Sequence, residues 1–197
     1  VSMPLSDTVG AMISGYSNTR DGYFTNLVSG SELNERNRRG FRGELFFAPE
    51  SGNFTARLIA DVDKIDEQCC GVANLVNGPT GAAVQAVGGN LVAESPFARE
   101  QFLDFDPSND ITNSGVSLNI EYGLTDNIDF TSITAWRELD RFENADVDFT
   151  SAALVAQNTG QTDIETFKQE FRLAGASGIM TWLAGVFYFD ESVAQRT

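Results

Sequence analysis

The sequence contains no histidine among its 197 residues. Without histidine, neither a Ser-His-Asp nor a Cys-His catalytic set can form, and the commonest transition-metal ligand is missing. The chain also lacks a Walker A sequence and a dinucleotide-binding glycine fingerprint after a strand. We therefore expect no enzyme, no catalytic residue, no metal site and no cofactor.

Only two cysteines are present, Cys69 and Cys70, and they are adjacent. This spacing fits neither a CxxC redox pair nor a four-ligand zinc site. One interpretation is a vicinal disulfide formed in an oxidising compartment. The alternative is that the two residues are loop thiols, or a local crosslink, with no redox or catalytic role.

Long apolar runs are also missing. No stretch reaches the roughly 18 apolar residues that a transmembrane helix requires. Basic residues are few, with 13 Lys and Arg against 28 Asp and Glu, which gives a net charge of −15. So acidic a surface disfavours nucleic acid as a partner. Much of the acid lies in long polar segments, where it either keeps loops solvated or gathers cations.

What the sequence does contain is a regular alternation of short turns and long polar segments. Short turns are predicted at 49–53, 123–127 and 175–178, and long loops at 19–37, 64–113 and 139–162. Between them we predict seven strands of alternating polarity, near 8–18, 38–48, 54–63, 114–122, 128–138, 163–174 and 179–190. Their length suits a tilted strand that crosses a bilayer, which needs roughly 9–11 residues.

This pattern predicts an all-β fold, an antiparallel meander of about seven long strands. Residues 1–197 would form one partial β-barrel domain within a larger transmembrane β-barrel. Its short turns would be periplasmic and its long loops extracellular, because outer-membrane barrels are built in this way.

One face of the predicted strands is charged, and we expect it to face the barrel lumen. Its charged members are Arg42, Glu44, Arg57, Asp61, Glu121, Lys168, Glu170 and Arg172. In the hairpin 38–63 two registers are open, one with Glu44 opposite Arg57 and one with Arg42 opposite Asp61. Asp61 and Asp63 share a face, and we expect them to line the mouth of the barrel, partnered by Arg42 or water.

Aromatic residues gather at the strand ends, as rings do at the two membrane–water interfaces. The predicted interface aromatics are Phe47, Phe54, Tyr122, Trp136, Trp182 and Tyr188. For the strands near 128–138 and 179–190, the sequence leaves open which face is turned to lipid.

An acidic segment at 104–110 resembles a calcium-binding loop at a glance. Asn109 stands where an EF-hand needs glycine, and Gly115 where it needs a bidentate glutamate, so an EF-hand is excluded. A looser site built from Asp104, Asp106 and Asp110 and a merely solvated loop are the two alternatives.

Several stretches resemble TonB-dependent outer-membrane receptors of Gram-negative bacteria. The similar segments are PLSDTVGAMISG at 4–15, DGYFTNL at 21–27, LNERNRRGFRG at 33–43, DVDKIDEQCC at 61–70, NLVNGP at 74–79, TSITAWR at 131–137, QEFRL at 169–173 and WLAGVFYFD at 182–190. Their order and spacing cover nearly the whole chain. No ligand-contact residue of the family matches by motif.

The resemblance implies a receptor in the bacterial cell outer membrane, with a barrel of about 22 strands and an N-terminal plug. Such receptors take up small-molecule cargo: siderophore-bound iron, cobalamin, haem or an oligosaccharide. The implied partners are outer-membrane lipid, the rest of the barrel and plug, and the TonB-ExbB-ExbD complex, contacted through a TonB box. Neither plug nor TonB box is recognisable in these residues, so we expect an early-barrel segment.

Two further interpretations stay open. One is a secreted or surface β-structural or adhesive module, whose strands pack sheet on sheet. The other is a self-assembled β-rich fibre formed by a barrel fragment, because open sheet edges promote self-association.

Overall fold

The computed structural model describes residues 1–95, 97–155 and 158–197. Residues 96, 156 and 157 belong to two of the predicted long loops and lie outside the described residues. In chain order the elements are β1 (Ser2–Pro4), β2 (Val9–Arg20), β3 (Phe24–Asn26), β4 (Glu32–Leu33), β5 (Arg36–Phe47), β6 (Phe54–Glu67), α1 (Thr80–Ala86), β7 (Glu100–Gln101), β8 (Ser108–Thr125), β9 (Ile128–Asn144), β10 (Thr159–Ser177) and β11 (Met180–Arg196).

Two sheets contain these strands. The large sheet has eight strands in the order β1-β2-β5-β6-β8-β9-β10-β11, and all its neighbours pair antiparallel. The small sheet has the order β4-β3-β7 and lies within the long loops. Seven long strands that follow one another in a meander confirm the predicted fold class, and the short β1 adds an eighth strand.

The long strands overlap the seven predicted ones but continue further into the predicted loops. β8 begins at Ser108, inside the predicted loop 64–113, and β9 ends at Asn144, inside the predicted loop 139–162. These extensions are mostly polar on both faces, so the period-2 alternation that marks a strand is absent there. The loops are correspondingly shorter than predicted.

Three short turns join the strands at one edge of the large sheet. Residues 126–127 and 178–179 form two-residue turns, and residues 48–53 form a longer one. Gly52 and Gly178 have positive φ angles of 72° and 59°, which glycine adopts without steric cost. The turn predicted at 175–178 is displaced, because β10 continues through Gly175, which pairs with Trp182.

The register of the strands gives the large sheet two distinct faces. In the hairpin β5–β6, Arg42 lies opposite Asp61, so the alternative register with Glu44 opposite Arg57 is wrong. Leu45, Leu58 and Leu118 form a row across β5, β6 and β8 on what we call the apolar face. The opposite side, which carries Arg42 and Asp61, is called the charged face.

The apolar face is not covered by other parts of the described chain. Leu45 is 47% exposed and Leu58 is 40% exposed. The buried apolar residues among those described, Phe24, Leu33, Leu103 and Ala152, all lie in the long loops. A β-sandwich would bury one face of its sheet against a second sheet. Here no second sheet packs on the apolar face within the described residues, so anything that covers this face must come from outside them.

The long loops together form a compact layer at the other edge of the sheet. We call residues 21–35, 68–107 and 145–158 the loop layer, and refer only to its described residues. Phe24, Leu33 and Leu103 form its apolar cluster, with Ala73 packed against them. Within the described ranges, no helix has both the length and the apolar character needed to cross a membrane.

Candidate functional site

The charged face brings together the side chains that the sequence predicted for a barrel lumen. The register places all eight on this one side of the large sheet: Arg42, Glu44, Arg57, Asp61, Glu121, Lys168, Glu170 and Arg172. β9 pairs with both β8 and β10, and its register shows that the charged residues of β10 lie on the same face as those of β5, β6 and β8. That this face borders a lumen stays a prediction.

At the centre of the charged face, Asp63 of β6 is reached by a tyrosine two strands away. The Tyr16 hydroxyl on β2 donates a hydrogen bond to the Asp63 carboxylate. Between them lies Gly40 of β5, which pairs with both Tyr16 and Asp63. A Cβ atom at position 40 would overlap the Tyr16 ring, so the ring can cross β5 only because this residue is glycine.

Asp61 of β6 is likewise contacted by a side chain two strands away, here from β9 on the other side of β6. The Arg137 guanidinium on β9 donates to both oxygens of Asp61, at 2.8 and 2.9 Å, and to the Asn113 side chain at 2.6 Å. It passes over Gly115 of β8, where a Cβ atom would lie 3.2 Å from the Arg137 side chain. A single terminal nitrogen, Nη2, makes both bonds to Asp61, while Nη1 donates to Asn113.

The partner predicted for Asp61 is therefore wrong. Arg42 lies opposite Asp61 in the register, but its guanidinium approaches Glu44 at 4.0 Å instead. Arg137 is the carboxylate's partner because the small Gly115 leaves a path across β8. A groove of about 410 Å³ lies over this part of the sheet and is bordered by Tyr16, Arg42 and Arg137 among others.

Further ion pairs and a cation–ring contact extend along the charged face. Arg57 pairs with Glu44 at 3.2 Å, and Arg172 pairs with Glu170 on its own strand. The Lys168 ammonium lies 5.4 Å from the centre of the Phe189 ring. The charged face therefore carries charges of both signs along its length.

The six predicted interface aromatics all lie on the apolar face. Phe54 sits between Phe47 and Tyr122, with ring centres 5.9 and 6.4 Å apart in edge-to-face geometry, next to the short turns. Trp182 lies near the same edge, whereas Trp136 pairs with Phe167, whose ring is 6.2 Å from that of Tyr188. Their role at membrane interfaces stays a prediction.

The register also decides the two strands that the sequence left open. Phe130 and Trp136 of β9 share the apolar face, as do Trp182 and Tyr188 of β11. Phe187 and Phe189 fall on the charged face instead, stacked with ring centres 6.3 Å apart. β11 is apolar on both sides, which is why alternation alone could not orient it.

In the loop layer, a buried asparagine connects the first loop to the second. Asn26 is fully buried, and its amide donates to Asp106 at 2.8 Å while its carbonyl oxygen accepts from the backbone N–H of Leu103 at 3.1 Å. The hydroxyls of Ser29 and Ser31 also donate to Asp106, each at 2.7 Å. The carboxylate of Asp106 thus holds three donors from the first loop.

These hydrogen bonds lower the pKa of Asp106 and occupy both of its carboxylate oxygens. Burial alone would raise its pKa, but the hydrogen bonds from Asn26, Ser31 and Ser29 outweigh burial and hold the pKa below its usual value. Among the described residues there is no group of three or more acidic or cysteine side chains placed to hold a metal ion. Asp104, Asp106 and Asp110 do not converge on a cation.

The third loop contributes Asp146, a buried carboxyl group that is only 2% exposed. Burial raises the pKa of Asp146 to about 6, and the nearby carboxylates of Asp148 and Asp104 add to the rise. The hydrogen bond that the Phe149 backbone N–H donates to Asp146, 2.8 Å long, acts in the opposite direction.

The sulfur atoms of Cys69 and Cys70 lie at bonding distance in the second loop. This is the arrangement of a vicinal disulfide, which stays a prediction for the protein in its own compartment. The pair follows directly after β6, and Gly71 exchanges two hydrogen bonds of 2.9 Å with the Asn34 side chain. Cys69 and Cys70 therefore stand where the first two loops meet.

Comparison with known proteins identifies the architecture. The chain resembles the ferric yersiniabactin uptake receptor of Yersinia pestis, with a TM-score of 0.74 and 17% identity over 98% of the chain. It also resembles a siderophore receptor of Acinetobacter baumannii, with a TM-score of 0.67 and 16% identity over 98% of the chain. The chain has the fold of a segment of a transmembrane β-barrel.

The match covers only part of each receptor, because the chain spans 28% of the length of either one. No family model matches the sequence, and no curated protein matches it. At 16–17% identity the similarity to these receptors concerns the fold alone. It consists in the three-dimensional arrangement of the strands and loops.

Sequence reasoning missed the two residues that complete the centre of the charged face. Sequence reasoning does not connect Tyr16 or Arg137 with these carboxylates, although both are long polar side chains in alternating strands. A usable signal was present: Gly40 and Gly115 interrupt strands at positions that pair with Asp63 and Asp61. Glycine inside a strand often marks a close approach of another group, but its partner becomes visible only with the register.

Proposed function

We propose that this chain is a barrel segment of a TonB-dependent receptor in the bacterial outer membrane. The observation that carries the proposal is the match of 98% of the chain to two receptors whose names refer to siderophores. The uncovered apolar face and the division into a turn edge and a loop edge agree with it.

In this proposal the two faces and the loop layer have separate tasks. The apolar face contacts lipid, and the charged face lines the cavity that holds the plug. The loop layer meets the cargo, because loops carried on a rigid scaffold commonly provide binding residues. The TonB-ExbB-ExbD complex would supply energy through parts of the protein outside these residues.

The proposed cargo is an iron-bound siderophore, because both similar structures are named for siderophore recognition or uptake. Cobalamin, haem and an oligosaccharide are the competing cargo classes. The test is uptake by the source bacterium under iron limitation, with the gene deleted and with the intact protein restored. Radioactive iron is supplied on a panel of siderophores, with haem and labelled cobalamin in parallel.

The proposal expects deletion to abolish uptake of one cargo, and expects the intact protein to restore it only in cells that have TonB. Shortening the loop 68–107 in the restored protein should remove cargo binding while the barrel still inserts. Unchanged uptake of every cargo, with the protein extractable from cells without detergent, would favour a secreted or surface β-structural module instead.

A fibre formed by the isolated segment is the second alternative. It would show the cross-β spacing of about 4.7 Å along its axis, whereas an inserted barrel would not form fibres. Fibre diffraction of the purified 197-residue chain separates the two states.

A further inference from the structure

A cavity lies between the second and third loops of the loop layer. Its volume is about 240 Å³, and the residues that border it include Asn77, Leu91, Gln101, Phe102 and Phe149. Sites for drug-sized ligands measure roughly 300–1,000 Å³. This cavity is smaller, so it suits a single small ring or one arm of a larger molecule.

One side chain at the cavity has a hydrogen-bond donor without a partner. Gln101 of β7 is only 3% exposed, and its side-chain oxygen accepts from the Val72 backbone N–H at 2.8 Å. This contact fixes the orientation of the amide and turns its nitrogen, Nε2, away from Val72. Among the described residues Nε2 makes no hydrogen bond, and it is not one of the sealed polar atoms that lack a partner. It is therefore open to the cavity that Gln101 borders.

An open donor on a buried side chain is informative, because buried polar groups are nearly always hydrogen-bonded. The backbone of Val72 already holds the Gln101 side chain in place, so the amide cannot turn to find another partner without losing that bond. An acceptor oxygen of a ligand in the cavity would complete the hydrogen bonding of Nε2.

Further carboxamides border the same cavity. The Asn77 amide donates to the Val92 carbonyl at 3.2 Å and accepts from the Asn74 amide at 2.5 Å. Asn90 donates to the Ser151 hydroxyl at 3.3 Å. A carboxamide has two donor hydrogens and two acceptor lone pairs, so each of these side chains can make hydrogen bonds beyond the ones described. The cavity thus offers neutral donors and acceptors at several points of its border.

The charges around the cavity disfavour an ionic ligand. No lysine or arginine is among the described residues that border it, so a bound anion would lack a counter-charge. The carboxylate at its border, Asp148, is engaged within its own loop. Its Oδ1 accepts from the Thr150 backbone N–H and its Oδ2 from the Val155 backbone N–H, each at 3.0 Å. We therefore expect an uncharged ligand.

The remaining border of the cavity is apolar. Phe102 and Phe149 are its aromatic residues, and Val76, Val84 and Leu91 add aliphatic ones. Apolar residues beside neutral amides match a ring that carries both C–H groups and hydroxyls. The amides can bond the hydroxyls while the apolar residues cover the C–H groups. A pyranose sugar is such a ring.

We propose that this cavity binds an uncharged sugar ring, with Gln101 Nε2 donating to one of its oxygen atoms. The loop layer faces the outside of the cell in the proposed function, so the sugar would belong to an extracellular molecule. That role rests on the proposed function, whereas binding of the sugar rests only on the fold of the loops. Binding can be tested without iron and without uptake, and its failure would leave the uptake proposal standing.

Saturation-transfer NMR on the intact protein in lipid nanodiscs tests this site. The neutral probes are the methyl glycosides of glucose, galactose and mannose, and the charged counterparts are glucuronic acid and glucosamine. We expect at least one neutral glycoside to bind with a Kd of about 1 mM, as suits a small ligand with few contacts. Both charged sugars should bind about tenfold more weakly.

Three variants connect binding to the cavity. Gln101→Glu keeps an oxygen for the Val72 N–H but replaces the donor nitrogen, so it should raise the Kd about tenfold. Gln85→Glu is the matched control, because Gln85 is exposed on α1 and is not among the residues that border the cavity. It should leave the Kd unchanged. Phe149→Ala alters an exposed aromatic residue at the border. It should also raise the Kd, and it decides the question if Gln101→Glu fails to fold.

Three results would overturn the proposal. The first is that none of the neutral glycosides binds the intact protein. The second is that glucuronic acid or glucosamine binds at least as tightly as the best neutral glycoside, which would identify the cavity as a site for an ion. The third is that Gln85→Glu weakens binding as much as Gln101→Glu or Phe149→Ala does, which would place the bound sugar elsewhere.

Discussion

At the scale of single residues, two glycines allow long side chains to reach the carboxylates of β6. Tyr16 crosses Gly40 to reach Asp63, and Arg137 crosses Gly115 to reach Asp61. Each contact spans a strand that lies between its partners, so it couples three strands instead of two. The centre of the charged face is thereby tied together from β2 to β9.

Gly40→Ala should break the first of these contacts. The added methyl group overlaps the Tyr16 ring and forces it away from Asp63, so we expect the protein to be less stable because this hydrogen bond is lost. The measurement is the free energy of unfolding of the intact protein in lipid vesicles. Gly43→Ala is the matched control on the same strand, because its Cβ atom meets only the Phe41 ring edge at 4.0 Å. Equal losses in both variants would refute the role assigned to Gly40.

Asn26→Ala should loosen the loop layer without disturbing the large sheet. The substitution leaves Asp106 without one donor and the Leu103 backbone N–H without its acceptor. A lost buried partner costs roughly 1–3 kcal/mol, visible as faster proteolysis of the loops. Asn18→Ala, at an exposed position of β2, should leave the rate unchanged.

The contribution of Asp106 to the stability of the loop layer has a defined pH dependence. The pKa of Asp106 is lowered in the folded protein, so its stabilisation is present above the ordinary aspartate value of 3.8. It is lost as the pH falls further. Loop proteolysis with an acid-stable protease should therefore accelerate below that pH in the parent protein and much less in Asp106→Asn.

At the scale of elements, the alternation of side chains decides what each strand can tolerate. On β6, Leu58 lies in the row with Leu45 and Leu118 on the apolar face, while its neighbour Ile59 lies on the charged face opposite Glu44. Adjacent residues of one strand therefore meet opposite environments.

Leu58→Arg should destabilise the inserted protein strongly, by roughly 2–4 kcal/mol, because a charge would enter the hydrocarbon region. Ile59→Arg places the same charge one residue away, beside Glu44, and should cost far less. Unfolding by denaturant in vesicles measures both variants. The assignment of faces would be reversed if Ile59→Arg proved the more damaging substitution.

The sequence predicts the elements well where one face is apolar and the other polar, as in β5 and β6. It could not choose between two registers of that hairpin, since both match opposite charges, and the structure selects Arg42 opposite Asp61. The predicted strands also began β8 too late and ended β9 too early, because their polar extensions carry no alternation. The orientation of β11 followed only from its pairing with β10.

At the scale of the whole molecule, the large sheet is open. In the described structure β1 and β11 stand at its two edges and each pairs on one side only. Unpaired backbone groups cost several kcal/mol each in hydrocarbon, so a lipid-inserted sheet must close. The remaining strands of a larger barrel would supply the closure.

The 197-residue chain on its own should therefore not form a stable inserted monomer. We expect it to associate through its strand edges, because such edges pair readily with further chains. Light scattering and heat-shifted gel mobility, after refolding in detergent and lipid, provide the check. A heat-resistant monomer in liposomes would count against the open-sheet account.

The candidate site divides into parts that a sequence can and cannot reveal. Placement of the eight charges on one face follows from period-2 alternation. The contacts of Tyr16 and Arg137 depend on pairing across three strands, and the hydrogen bond between Asn26 and Asp106 joins residues that are 80 positions apart in the chain. No local pattern encodes such distances, so these contacts required the structure.

The account depends most on what covers the apolar face, and spin labels can report this directly. In the intact protein, with Cys69 and Cys70 replaced by serine, labels are placed at Leu45, Leu58 and Leu118. Control labels are placed at Ser117 and Asn119, which flank Leu118 on the charged face. In lipid vesicles the three leucine positions should be accessible to oxygen and shielded from a water-soluble nickel chelate. Access of the chelate to those positions, or shielding from both reagents by packed protein, would contradict the account.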